Sequence, residues 1–273
     1  MAVRIVVDSS AGVPADIVKA LDITVVDLHI LPSPEGEKES AGGAGTAGLN
    51  ALELTACYAR QLERGGDEGV VALHLPPGLS STFEAATTAA ALFDGLVRVI
   101  PTSSVGMATG AAAMAAARLA RDGASLEECE EIATSTLARS HTWVYLHTLD
   151  SLRRSGRVSA TTAVLSSALG ARPIMALDDG RLGVVAKTRT PTKACAKLAE
   201  LVQEEAHGAP AFVAIQHVGA RDRAERLEEL LRSVMPEGTS VLVVDMPEAL
   251  AVHCGQGAMG VSMVAGELSP GSR

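Results

Sequence analysis

Three times in its first half the chain runs through a short apolar stretch, breaks off in hydroxyl residues and passes into helical spacing. The stretches are "VRIVVDSS" (3–10), "GVVALHLPPGLSST" (69–82) and "VRVIPTSS" (97–104). A continuous apolar run, without alternation, is the pattern of a strand buried on both faces, as in a parallel sheet. Parallel neighbours cannot be joined by a tight hairpin and need a crossover, usually a helix. The repeated strand–turn–helix unit therefore restricts this half to an α/β layer structure. It also sets several helix N-termini, with their free N–H groups and positive dipole ends, along one sheet edge. Ser, Thr and Asp are the preferred N-caps, which accounts for any one of these turns. Three at the same edge also suit a crevice that receives something polar or anionic.

Between these units "ITVVDLHILP" reads as a second strand, residues 32–48 as a Gly-, Pro- and Ser-rich surface loop, and Asn50 to Arg64 as a helix. Further helices are expected from Ser80 to Phe93, from Val105 to Arg121 and over "SLEECEEIATSTLARS". The rhythm then changes. "TWVYLHT", "ARPIMALDDGRLGVVAKTRT", "AFVAIQHV", "TSVLVVDMP" and "GVSMVAGEL" supply about six strand candidates with fewer helices between them. The "DDG" at 178–180 between two apolar runs is a hairpin signal. The expected organisation is a parallel α/β domain over 1–140 and a second α/β domain with a mixed or antiparallel sheet over 141–273. The halves show no mutual repeat.

A net charge of −9 argues against nucleic acid, whose binding requires clustered Lys and Arg, and leaves only transient contact with a membrane surface. "MAVRIVVDSS" enters a strand-like run directly, without a secretory signal. Cys57, Cys129, Cys195 and Cys254 have no CxxC spacing and read as reduced thiols, so a cytoplasmic location is expected. Aromatic residues make up only 2% of the chain, so any ligand pocket has aliphatic walls, better suited to a flexible chain than to a stacked ring.

The hydroxyls of Ser80, Ser81 and Thr82 admit three uses: nucleophile, anion ligand or helix cap. "GLSST" approaches the G-x-S-x-G elbow in the right strand–turn–helix setting but lacks the second glycine. A serine hydrolase or acyltransferase built on Ser80 would also need a base, for which His147 and His253 are the downstream candidates. "GQGAMG" (255–260) matches a dinucleotide fingerprint in letters only, because a strand-like run follows where a helix should open. "SLRRSGRVS" (151–159) sets three arginines within five positions, with Arg157 in a turn behind Gly156. The scattered histidines form no metal set, and no cofactor motif is present.

In order along the chain, "VVDSS", "LSST" with "FEAA", "LDSLRRSGRVS", "ARPIMALDDGRLGVVAKTRT" and "HCGQGAMG" resemble the DegV family of bacterial fatty-acid-binding proteins. The resemblance covers nearly the whole chain. It implies a two-domain α/β protein that buries one long-chain fatty acid between its domains and performs no chemistry itself. The acid would be presented to a separate fatty-acid kinase, whose acyl phosphate product feeds phospholipid synthesis. Carried onto this chain, the carboxylate ligands would be Thr46, Ser80, Thr82, Arg157 and His253. Asp8, Ser9, Ser81, Gly255 and Gly257 would stand in support. This chain departs from the family pattern in the "TAGLN" loop (46–50), in Ser81 where the family has glycine, and in Gln256 where it has proline.

Overall fold

A computed structural model describes residues 2–32, 45–158 and 171–266. The chain forms two compact units, one of residues 1–29 and 47–139, the other of residues 30–46 and 140–273. In chain order the first elements are β1 (Arg4–Asp8), α1 (Ala15–Leu21), β2 (Thr24–Val26), β3 (His29–Leu31), β4 (Gly45–Ala47) and α2 (Ala51–Gly65). They are followed by β5 (Val70–His74), α3 (Thr82–Ala90), β6 (Val97–Pro101), α4 (Met107–Arg121) and α5 (Leu126–Ala138).

The first unit is built on a four-stranded parallel sheet in the order β2-β1-β5-β6. All five residues of β5 are buried, as the unbroken apolar run requires. The Ala-rich α4 is buried along most of its length. It lies close enough to the chain after β1 that a Cβ on Gly110 would sit 2.8 Å from the Ala11 carbonyl oxygen. Small side chains are what permit that approach. Asn50 caps α2 by accepting from Glu53 N, and Glu53 returns the bond to Asn50 N, a reciprocal capping box that fixes where the helix begins.

"ITVVDLHILP" is two strands rather than one. Pairing of β2 with β1 ends at Val26, and the next N–H but one, that of Leu28, is taken by the Ser9 hydroxyl at 3.0 Å. The chain leaves the sheet there, and β3 pairs with β4 in a separate two-stranded ladder. Thus the expected surface loop contains a strand at 45–47, and its residues 33–44 lie outside the described set.

In the second unit follow β7 (Ser140–Tyr145), α6 (Asp150–Arg154), β8 (Arg172–Asp178), β9 (Arg181–Thr188) and α7 (Pro191–Ala206). Then come β10 (Ala211–His217), α8 (Arg221–Val234), β11 (Ser240–Asp245), α9 (Glu248–Cys254) and β12 (Met259–Ala265). Six strands form a mixed sheet in the order β11-β10-β12-β7-β8-β9, with only β10 and β11 parallel. The β8–β9 hairpin turns at Asp179 and Gly180, both in the left-handed region, which is the turn that Asp-Gly favours. On one face Ala194, Leu198 and Val202 of α7, with Ala224, Leu227 and Leu231 of α8, cover Val213, Ile215 and Val261. Spacings of three and four residues put each set on one helix face. No helix among the described residues is long and apolar enough to cross a membrane.

Candidate functional site

In the first unit the chain departs from β1 toward β2 on one side and returns to β5 on the other. The carboxyl ends of β1 and β5 therefore flank a topological switch point, where open α/β sheets bind ligands. The residues at these two ends have opposite fates.

Asp8, at the end of β1, is 1% exposed. Its carboxylate accepts from Ser10 N at 3.0 Å, from the Ser10 hydroxyl and from Leu75 N at 2.8 Å, and it faces His74 Nδ1 at 3.3 Å. Burial raises its pKa, but His74, Ser10 and Leu75 together outweigh burial and hold it below the ordinary aspartate value. A carboxylate can only accept, so His74 Nδ1 carries a proton toward Asp8. The buried Tyr58 hydroxyl completes the chain at His74 Nε2, 2.8 Å away. Burial pushes the Tyr58 ionisation well above its usual range. Asp8 is thus an internal anchor whose two oxygens are both engaged by protein groups. Ser9 is likewise engaged, with Leu28 N. The third hydroxyl turn is internal too, since Thr102 donates to the His74 carbonyl at 2.7 Å.

The turn after β5 differs. Ser80 N and Leu79 N both donate to the Pro76 carbonyl, which folds the chain back at the double proline. Ser80 Oγ then accepts from Thr82 N at 3.2 Å, the first N–H of α3, while Ser81 makes no side-chain cap. The Ser80 and Thr82 hydroxyls lie 2.8 Å apart, and Leu49 N donates to Thr82 Oγ1 at 3.2 Å. Thr82 is fully buried, so its proton must find an acceptor within the protein, and Ser80 Oγ is the one in reach. That fixes the direction of the chain: Leu49 N–H to Thr82, Thr82 O–H to Ser80, and the proton of half-buried Ser80 left to point outward.

Gly48 makes this packing feasible, and nothing in its Gly-rich surroundings marks it out. A Cβ there would meet Ser80 Oγ and Thr82 Oγ1 at 2.9 Å each and Ser81 Oγ at 3.0 Å. Both histidines of the first unit are engaged elsewhere. His74 is engaged at both nitrogens, and the only other histidine of that unit, His29, is paired with Glu53 at 2.8 Å. The two downstream candidates are engaged as well, His253 Nε2 with Thr46 and His147 Nε2 with Arg223.

The second unit brings together three other expected residues. Thr46 of β4 and His253 in the last turn of α9 are bonded through Oγ1 and Nε2 at 2.8 Å. Gly255, at φ +74°, ends that helix with its N–H on the Ala251 carbonyl. Arg157 follows α6 in a Schellman turn: Gly156, at φ +75°, donates to the Arg153 carbonyl and Arg157 N to that of Leu152. Burial and the Arg157 charge lower the His253 pKa to about 4, so the imidazole is neutral at neutral pH. Folding therefore excludes a proton that the unfolded chain binds below about pH 6.5. This contribution to stability declines as pH falls from there toward 4. In a proton NMR titration His253 is expected to shift only near pH 4. Arg157→Gln should move that midpoint upward; an unchanged midpoint would mean the Arg157 charge does not reach the ring.

These features define an α/β chain with a hydroxyl-rich turn, Ser80 and Thr82, at the switch point of a parallel sheet. The chain belongs to the DegV family. The sequence profile described as "Uncharacterised protein, DegV family" matches residues 36–266. A DegV domain-containing protein of Corynebacterium glutamicum is 56% identical over 99% of this chain and 96% of its own. The crystal structure of the DegV family protein Cg2579 from that organism superposes with a TM-score of 0.91, at 54% identity and 99% coverage of both chains. A DegV family protein from Thermus thermophilus, solved for its fatty acid binding, gives 0.86 at 25% identity, over 97% of this chain and all of the other.

Proposed function

We propose that this chain is a non-catalytic carrier that binds a long-chain fatty acid and presents its carboxylate to a fatty-acid kinase. The observation that carries the reading is the Ser80–Thr82 hydroxyl pair at the start of α3, whose bonding leaves the Ser80 proton for an outside acceptor. A half-buried hydroxyl that already accepts twice is a fixed donor, and a carboxylate is the partner that profits most from one. The Thr46–His253 pair and the half-buried Arg157 are the candidate head-group ligands of the second unit. The fatty-acid-binding relative from Thermus thermophilus supports the ligand class. An acyl chain contributes about 0.8 kcal/mol per buried methylene. A long one therefore contributes on the order of 10 kcal/mol, with the head group setting orientation. The aliphatic composition suits such a cargo.

Solvent extraction of the purified protein followed by mass spectrometry should release close to one fatty acid per chain. The loaded protein, mixed with a fatty-acid kinase and ATP, should yield acyl phosphate. Protein that is isolated empty and takes up no added fatty acid would end the carrier reading. Loading without turnover would end only the kinase step.

A further inference from the structure

We propose that the second unit holds a site for a phosphate-type oxyanion, formed by Arg172, Arg223 and His147 over Gly257. The β7–β12 ladder pairs Tyr145 with Met259, and its continuation sets His147 opposite Gly257. Arg223, in the first turn of α8, donates from Nη1 to His147 Nε2 at 3.2 Å. A guanidinium only donates, so Nε2 is an acceptor and the ring proton sits on Nδ1. Arg172, at the start of β8, donates from Nη1 to the buried hydroxyl of Tyr145 at 3.1 Å. The Tyr145 ring meets the His147 ring edge-on at 5.6 Å.

Gly257 is what lets the two sides meet. Its φ of +80° favours glycine, and a Cβ there would lie 2.9 Å from both Arg223 Nη2 and His147 Nε2. The "GQGAMG" stretch thus serves a close approach of backbone to two nitrogen groups, not a dinucleotide. Burial, together with the charges of Arg172 and Arg223, holds the His147 pKa below its ordinary value.

Among the described residues no carboxylate pairs with either arginine, although Arg221 and Arg232 on the same helix each have a glutamate. Two cations held by neighbouring rings in contact, Arg223 by His147 and Arg172 by Tyr145, leave guanidinium N–H groups for a ligand. Forked donors of this kind match the tetrahedral oxygens of a phosphoryl group. The source of that group is inorganic phosphate, a nucleotide or the phosphate end of an acylated molecule.

The test is an NMR titration of the isotope-labelled full chain, in parallel arms, with inorganic phosphate, ATP and a monoalkyl phosphate. Saturable shifts centred on Gly257 and His147 are expected, with affinity falling roughly tenfold or more in Arg223→Gln. Arg223 is only half-buried in the first turn of a helix, so the variant should fold, as its circular dichroism will register. Arg223→Lys, which keeps the charge and loses the fork, should fall between the two. The arm that binds tightest identifies the source. Shifts absent in all three arms, or unaltered by Arg223→Gln in folded protein, would overturn the site. Fatty acid extraction is independent of it, so failure here leaves the carrier reading standing.

Discussion

Asp8→Ala is expected to lower the unfolding free energy at neutral pH by about 3 kcal/mol or more, the scale of removing one partner from a buried charged network. The truncation leaves Leu75 N, Ser10 N, the Ser10 hydroxyl and His74 Nδ1 without their acceptor in an interior that admits little water. Urea unfolding should show a lower midpoint with little change in slope, because the surface exposed on unfolding is nearly the same. The pH dependence separates this cause from simple loss of volume. The folded pKa of Asp8 lies below its unfolded value, so its contribution is fully present above about pH 4 and is lost as pH falls through the folded pKa. The gap between wild type and variant should therefore be widest near neutrality and narrow in acid. A gap that stays constant from pH 7 to pH 3 would assign the loss to packing alone. Tyr58→Phe, which removes only the outer hydroxyl of the chain, should cost about 1 kcal/mol.

The contrast between Asp8 and Ser80 locates the limit of the sequence. Both stand in hydroxyl-rich turns at the ends of adjacent parallel strands, and both turns are visible in the residue pattern. The parallel strands themselves were legible because burial on both faces leaves an unbroken apolar run. The "DDG" hairpin was legible because few residues tolerate two successive positive φ values. Which hydroxyl turn closes on itself and which keeps a proton in hand depends on neighbours distant in sequence: His74 and Leu75 for Asp8, Leu49 for Thr82. The interruption of "ITVVDLHILP" was hidden for the same reason, since the group that takes Leu28 N is the hydroxyl of Ser9, nineteen residues earlier. Gly48 was hidden in a run of glycines where local spacing distinguishes none of them. Thr46 and His253, 207 positions apart, came together in the reading only through the family resemblance. Arg172, Arg223 and His147 belong to no short motif and meet only because the β7–β12 register and the start of α8 bring them to one place.

Ser80→Ala is expected to weaken binding of a long-chain fatty acid by roughly tenfold to a hundredfold, the equivalent of one charge-assisted hydrogen bond. The same variant should bind the methyl ester of matched chain length nearly as well as wild type does, because the ester's neutral carbonyl gains much less from the donor. Equal losses for acid and ester would mean that Ser80 supports the pocket wall rather than the carboxylate. Gly48→Ala tests the same chain from behind. The added methyl must push aside the Ser80 and Thr82 hydroxyls, which it would meet at 2.9 Å, and so break the donation from Leu49 N that orients Thr82. With Thr82 turned, Ser80 is no longer compelled to aim its proton outward, and affinity for the acid should fall, though no further than in Ser80→Ala. The two substitutions act on one hydrogen-bond chain, so their combination should cost clearly less than the sum of the separate losses. Additive losses would show that Gly48 and Ser80 act independently. An unaltered affinity in folded Gly48→Ala would mean that the hydroxyl chain does not govern the head group.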